Sequence, residues 1–243
     1  MNQNEGKLIF SLVQEWESRA LKGITLLQNR KSEKVGVAHY DKEKGGMETE
    51  LPLTYLGKEV GTLCLRADFQ LDPTSLAVEG MSGAMAPLVV GDNEEAWKRQ
   101  VHLLQWVQKM REIAPDLCHW TGLYFRADFY LKEEGPHQDD LVLGPFLGEP
   151  TPHMRIPQGQ GLCGLAVREE RVVNIGDVRE DSRYLSCSFK TKAELVIPLR
   201  NRDGIVVGEL DIDSHQPHAF SKELEGIFLN ECGKFPQLFE EWT

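Results

Sequence analysis

The chain has 243 residues, 41% of them hydrophobic and 27% charged, which is material for one or two packed domains and excludes wholesale disorder. It carries 27 Lys and Arg against 38 Asp and Glu, and no basic block offsets the formal net charge of −11. That balance excludes nucleic acid and anionic membrane surfaces as general partners. The first residues lack the basic-then-apolar pattern of a secretory signal, and no apolar run approaches the ~20 residues that span a bilayer. A soluble cytoplasmic protein is expected.

In chain order, Ile9, Leu12, Val13, Trp16 and Ala20 recur at helical spacing and predict a first helix. Strands are expected over 34–40, 49–56 and 61–69, the last two joined by a short turn at Gly57. The stretch 72–88 reads as a helix weakened by Gly80 and Gly83. Asp92 or Asn93 then caps a helix over 94–113, with Trp97, Val101, Leu104, Val107 and Met110 on one stripe and Pro115 beyond its end. The aromatic-rich stretch 119–130 predicts a strand, as do 140–147, 171–175, 195–200 and 205–212. The last two are joined by the turn Asn201-Arg202-Asp203-Gly204. Ser221, with Glu223 in the first turn, opens a final helix that Gly233 and Pro236 interrupt.

The two halves echo each other. Leu51-Pro52-Leu53, a Gly-containing turn and Gly61-Thr62-Leu63-Cys64-Leu65 parallel Ile197-Pro198-Leu199, the turn at Gly204 and Gly208-Glu209-Leu210-Asp211-Ile212. On this basis 1–92 reads as a truncated partner of 93–243; two hairpin-plus-helix units alike by chance are the alternative. The counterparts of Asp211 and Asp213 are then Cys64 and Arg66, so the first unit lacks the acidic pair.

Five cysteines, Cys64, Cys118, Cys163, Cys187 and Cys232, are spread singly, which suits neither a disulfide framework nor a zinc site. Each taken alone reads as a buried hydrophobe. Cys163, however, lies among Gly159, Gly161 and Gly164, where backbone can approach a ligand closely. The G-x-G-x-x-G spacing matches a dinucleotide fingerprint on paper, but Pro157 and the lack of a βαβ unit argue against one. Cys187 falls in the polar, aperiodic stretch 177–192, a loop where a thiol can be exposed and reactive. Asp211 and Asp213 lie two apart on a strand and so share a face, while Leu210 and Ile212 take the other. Glu194 begins the neighbouring strand. Three carboxylates at one end of a sheet would bind a cation; a solvated pair is the plainer alternative. His215 and His218 flank a proline in a loop and do not read as metal ligands.

The run Trp120-Thr-Gly-Leu-Tyr124, Leu141 to Phe146, Arg155-Ile-Pro, Gly161-Leu-Cys163-Gly164, Cys187, Glu194 to Leu199 and Gly208-Glu-Leu-Asp-Ile-Asp-Ser214 resembles a GAF domain. Within that class it resembles the free methionine-(R)-sulfoxide reductases. The resemblance spans about 120–220, somewhat under half of the chain. It implies an α+β fold, a central antiparallel sheet with helices packed on one face, over 93–243, preceded by a truncated GAF-like subdomain over 1–92. It implies catalytic roles for Cys187 and Cys163 and a substrate pocket at Trp120, Tyr124, Glu194, Asp211 and Asp213, with no metal and no cofactor. The family's third cysteine falls on or beside His153, and its Cys-Asp on the loop is Cys187-Ser188 here, which bears on recycling. The implied reaction is reduction of free methionine-(R)-sulfoxide through a sulfenic acid and a Cys163–Cys187 disulfide, with a thioredoxin-type partner as reductant. Which thiol attacks first is open, as is a homodimer. A GAF sensor that binds a small molecule without turnover, or a scaffold with vestigial thiols, are the alternatives.

Overall fold

The computed structural model of the chain describes residues 21–28, 33–40, 47–55, 58–67, 94–149, 151–186 and 188–238. The chain divides into two compact units, Met1–Gln105 with Gly148–Pro150, and Trp106–Leu147 with Thr151–Thr243. The helices expected over 9–20 and 72–88 lie outside the described residues.

The first unit holds β1 (Leu21–Gln28), β2 (Glu33–Tyr40), β3 (Met47–Tyr55) and β4 (Lys58–Ala67), an antiparallel sheet in the order β2-β1-β4-β3. The sequence had pointed to β2, β3 and β4 but not to β1. Register shifts at Gly23/Ile24 and Leu26/Leu27 against β2 break the alternation by which a strand is read, and its pairing with β2 and β4 makes it one. The internal echo is matched in register. Leu53 pairs with Gly61 and Pro52 with Thr62, just as Leu199 pairs with Gly208 and Pro198 with Glu209.

The second unit is built on β5 (Trp120–Arg126), β6 (Leu141–Leu147), β7 (Arg155–Ile156), β8 (Val173–Ile175), β9 (Ala193–Arg200) and β10 (Val206–Ser214). They form an antiparallel sheet in the order β7-β6-β5-β10-β9-β8, so β10 is a central strand between β5 and β9. Five α-helices are described, α1 (Glu94–Ile113), which passes from the first unit into the second at Trp106, α2 (Ala127–Tyr130), α3 (Gly161–Glu169), α4 (Lys222–Cys232) and α5 (Phe235–Leu238), with a 3-10 turn at Val178–Glu180. The stretch 119–130 is thus not one strand. Arg126 donates to Asp128 at 2.6 Å and to Asp139 at 2.8 Å, and the chain turns into α2. There Tyr130 stacks on Phe125 at 5.0 Å, so the aromatic residues that suggested a longer strand fold back to cover its end.

One face of the sheet is apolar. Leu123, Phe125, Leu195, Leu199, Leu210 and Ile212 are completely buried, each such side chain being worth about 1.5–3 kcal/mol. Phe235 of α5 lies 6.2 Å from Phe125 and 5.4 Å from Trp106, which places α5 and the Trp106 end of α1 over that face. Ser221 accepts from the Leu224 amide and caps α4, and Glu225 accepts from Lys222 and from Asn174 of β8. Against the opposite face lies α3, packed on β8, β9 and β10.

On that opposite face the Trp120 ring covers Gly122. A Cβ at residue 122 would stand 2.2 Å from the ring and 2.7 Å from the Phe146 Cβ, and the Trp120 and Phe146 rings stack at 5.3 Å. Glycine is what the close approach requires. Gly122→Ala should therefore destabilise the protein by about 1–3 kcal/mol through overpacking, measured by urea denaturation. Unchanged stability would contradict this packing.

Candidate active site

Strand pairing gathers the side chains of three strands into rows. Trp120, Asp213 and Glu194 lie side by side on β5, β10 and β9; Gly122, Asp211 and Val196 form the next row, and Tyr124, Glu209 and Pro198 the third. Period-two alternation puts Glu209, Asp211 and Asp213 on this face because Leu210 and Ile212 occupy the apolar one. All three acids and Glu194 are buried.

Helix α3 brings the sulfur. Cys163, in its first turn, directs Sγ to Glu194 Oε1 at 3.8 Å and to Asp211 Oδ2 at 3.7 Å. The Gly-x-Cys-Gly segment is the start of this helix. Its approach to the preceding turn depends on Gly164, where a Cβ would stand 2.9 Å from the Gly159 carbonyl carbon. The G-x-G-x-x-G spacing here serves contact between a turn and a helix; β7 before it and β8 after it lie at opposite edges of an antiparallel sheet, so they do not form the βαβ unit of a phosphate cradle.

The electrostatics are one-sided. Burial pushes Asp211 up to about 7, against the pull of its hydrogen bond from Cys163. Burial first, and then the charges of neighbouring acids, hold Glu194, Glu209 and Asp213 well above the usual carboxylate range. No lysine or arginine among the described residues acts on any of the four. Both oxygens of Glu209, Oδ1 of Asp211 and Oδ1 of Asp213 are buried without a hydrogen-bond partner there. Four neighbouring buried carboxyls, on which no lysine or arginine among the described residues acts, favour their protonated forms and suit a ligand that arrives with positive charge and N–H donors.

Of the residues singled out from sequence, Trp120, Tyr124, Cys163, Glu194, Asp211 and Asp213 lie on or against this one face. Trp120 and Tyr124 stack at 6.3 Å. Cys187 lies outside the described residues. Its neighbour Ser186 is tied through its carbonyl oxygen to His153 Nε2 at 3.1 Å, and the Tyr124 hydroxyl donates to the His153 carbonyl at 2.8 Å. His153 thus joins β5 to the 177–192 loop. On the same loop, Arg183 is engaged by Asp181 at 2.5 Å. Burial raises the Cys118 thiol to about 11 and pushes the Cys232 thiol up as well, as suits packing residues. Glu209 is the residue sequence reasoning missed, although its spacing of two from Asp211 already placed it on the same face.

The raised Asp211 has a consequence for stability. Its folded value, about 7, exceeds its ordinary 3.8, so between those values the native state holds a proton that the unfolded chain has released. Stability from this group is complete below about pH 4 and is lost as pH rises through about 7. The urea midpoint of the reduced protein should fall over that window, and Asp211→Asn should flatten the fall. A parental slope in the variant would contradict the assignment.

A GAF domain model matches residues 117–230. Protein YtsP of Bacillus subtilis (strain 168) is 39% identical over 113 residues, covering 46% of this chain and 63% of its own length. A free methionine-R-sulfoxide reductase of Escherichia coli (strain K12) is 41% identical over 99 residues, covering 41% of this chain and 56% of its own. The chain thus spans less than two thirds of these curated relatives. The solved structure of a type II free methionine-R-sulfoxide reductase from Thermoplasma acidophilum is 35% identical, covering 59% of this chain and 93% of its own, with a TM-score of 0.51. With its curled antiparallel sheet and its Cys163-bearing helix laid over the acidic face, the chain belongs to the GAF-domain family of free methionine-R-sulfoxide reductases.

Proposed function

We propose that the protein reduces free methionine-(R)-sulfoxide to methionine in the cytoplasm, with Cys187 and Cys163 as the redox pair. The observation that carries this reading is the set of buried, cation-free carboxyls against Cys163. A free amino acid brings an ammonium with three N–H donors, and Glu194, Asp211 and Asp213 are the acceptors it needs. Trp120 and Tyr124 offer aromatic surface to the thioether end.

The Cys163 thiol is buried and donates to two carboxyls at 3.7–3.8 Å, an arrangement that suits the resolving thiol, so attack is assigned to Cys187. Its sulfur takes the sulfoxide oxygen, the thiol proton ends on that oxygen, and methionine leaves with the electron pair. The Cys187 sulfenic acid then condenses with the Cys163 thiol, forming a disulfide and water. A thioredoxin-type dithiol returns both thiols by exchange. Protonated Asp211 is suited to hold the departing oxygen by a hydrogen bond.

Free substrate should be preferred over N-acetylated sulfoxide by roughly 10- to 100-fold in kcat/KM, the worth of one charged hydrogen bond. Equal turnover of the two would sink the pocket assignment. Cys187→Ser should abolish reduction, and Cys163→Ser should complete one turnover and stall with thioredoxin. Mass spectrometry after one equivalent of substrate should find the Cys163–Cys187 disulfide. A bond through Cys64, Cys118 or Cys232 would overturn the mechanism.

Residues 1–92 we read as a truncated GAF-like subdomain without a ligand site. The register match of β3–β4 with β9–β10 supports this, since Thr62, Cys64 and Arg66 stand where Glu209, Asp211 and Asp213 stand in the second unit. A fragment beginning at Glu94 should keep its sulfoxide-binding affinity, measured by calorimetry. Binding lost with 1–92 would refute the assignment.

A further inference from the structure

We propose that Cys163, Glu194 and Asp211 form a binding site for a zinc-type divalent cation, filled in competition with the amino-acid ligand. One sulfur and one oxygen from each carboxyl lie within 4.8 Å of one another. Tetrahedral zinc bonds to sulfur at about 2.3 Å and to carboxylate oxygen at about 2.0–2.2 Å, which separates sulfur from oxygen by roughly 3.5 Å. The two measured separations, 3.7 and 3.8 Å, need close by only a few tenths of an ångström. Two strands and a helix hold these donors in place, so little ordering is required on binding.

An independent observation also points to a ligand. Asp211 Oδ1, Asp213 Oδ1 and both Glu209 oxygens are buried on this face without partners among the described residues. Asp211 and Glu209 are only 2% and 0% exposed. A dication would offset the negative charge that carboxylates on this face carry. The sulfur selects the metal. Magnesium and calcium take oxygen shells of six or more, whereas a borderline-soft ion accepts one thiolate with two carboxylates. Three protein donors leave a fourth corner for water. Binding moves no electrons; the Cys163 thiol and any protonated donor carboxyl release their protons to solvent.

The bound ion would occupy the sulfur and two of the acids assigned above to the reaction, so the zinc form is inactive and its thiol is shielded from oxidation. The proposal rests on donor geometry rather than on the reductase reading, and its test needs no turnover.

Reduced full-length protein is titrated with zinc against a chromophoric chelator, and with cobalt as a spectroscopic probe. One equivalent of zinc should bind, magnesium should not compete, and cobalt should give a thiolate charge-transfer band with the d–d bands of a tetrahedral ion. Cys163→Ser should abolish the charge-transfer band, and both Cys163→Ser and Asp211→Asn should weaken zinc by roughly tenfold or more. Should Cys163→Ser not fold, alkylation of the parent protein read by mass spectrometry replaces it, with zinc expected to protect the Cys163 peptide. A band that survives Cys163→Ser, a Cys163 that alkylates equally with and without zinc, or no variant-sensitive zinc binding would overturn the proposal. Zinc bound in this way by a protein that fails to turn over sulfoxide would sink the reductase reading alone.

Discussion

The second unit is organised around an electrostatic liability, acids crowded onto the covered face of a central strand. β10 has neighbours on both edges and packed layers on both faces, so all of its residues are buried. Leu210 and Ile212 secure the apolar face. A one-residue slip would drive three carboxyls into that core, and the hydrophobic side of the strand therefore enforces the acidic side. Burial holds all four carboxyls above their usual range, Asp211 at about 7.

The surroundings of the acids follow from this arrangement. Trp120 can lie flat against the sheet because residue 122 has no side chain, and Phe146 and Tyr124 extend the aromatic wall beside it. Tyr124 spends its hydroxyl on the backbone of His153, and His153 in turn reaches the loop at Ser186. The pocket wall and the loop at Ser186 are thus connected through His153. Farther along the same edge, Arg155 bonds Glu133 at 2.5 Å and Asp140 at 3.2 Å, fastening β7 beside β6. Its role is architectural, although it stands in the motif that carries the family likeness.

The first unit shows how the same hairpin register can exist without the chemistry. Leu53 opposite Gly61 repeats the geometry of Leu199 opposite Gly208, yet the positions that carry acids in β10 carry Thr62, Cys64 and Arg66 in β4. Backbone pairing tolerates that exchange because the ladder uses amides and carbonyls, whatever the side chains are. A site of this kind is carried by side chains on a fold, and the fold can persist without it.

Much of the second unit was legible in local pattern. The helix over 94–113, the capped C-terminal helix and the pairing of 195–200 with 205–212 follow from periodicity, a serine cap and a four-residue turn, all short-range signals. Asp211 and Asp213 could be placed on one face by counting in twos, and Glu209 was within reach of the same count. Other features depended on distant partners. β1 carries register breaks that erase its alternation, so only pairing with β2 and β4 makes it a strand. The end of β5 at Arg126 is set by bonds to Asp128 and Asp139, one of them thirteen residues away. The approach of Cys163 to Glu194 and Asp211 spans 31 and 48 residues, and no pattern in the sequence measures that distance. Local chemistry names the side chains on a strand face; which sulfur meets which acid, and whether a cation is near enough to quench them, is settled only when the helix docks on the sheet.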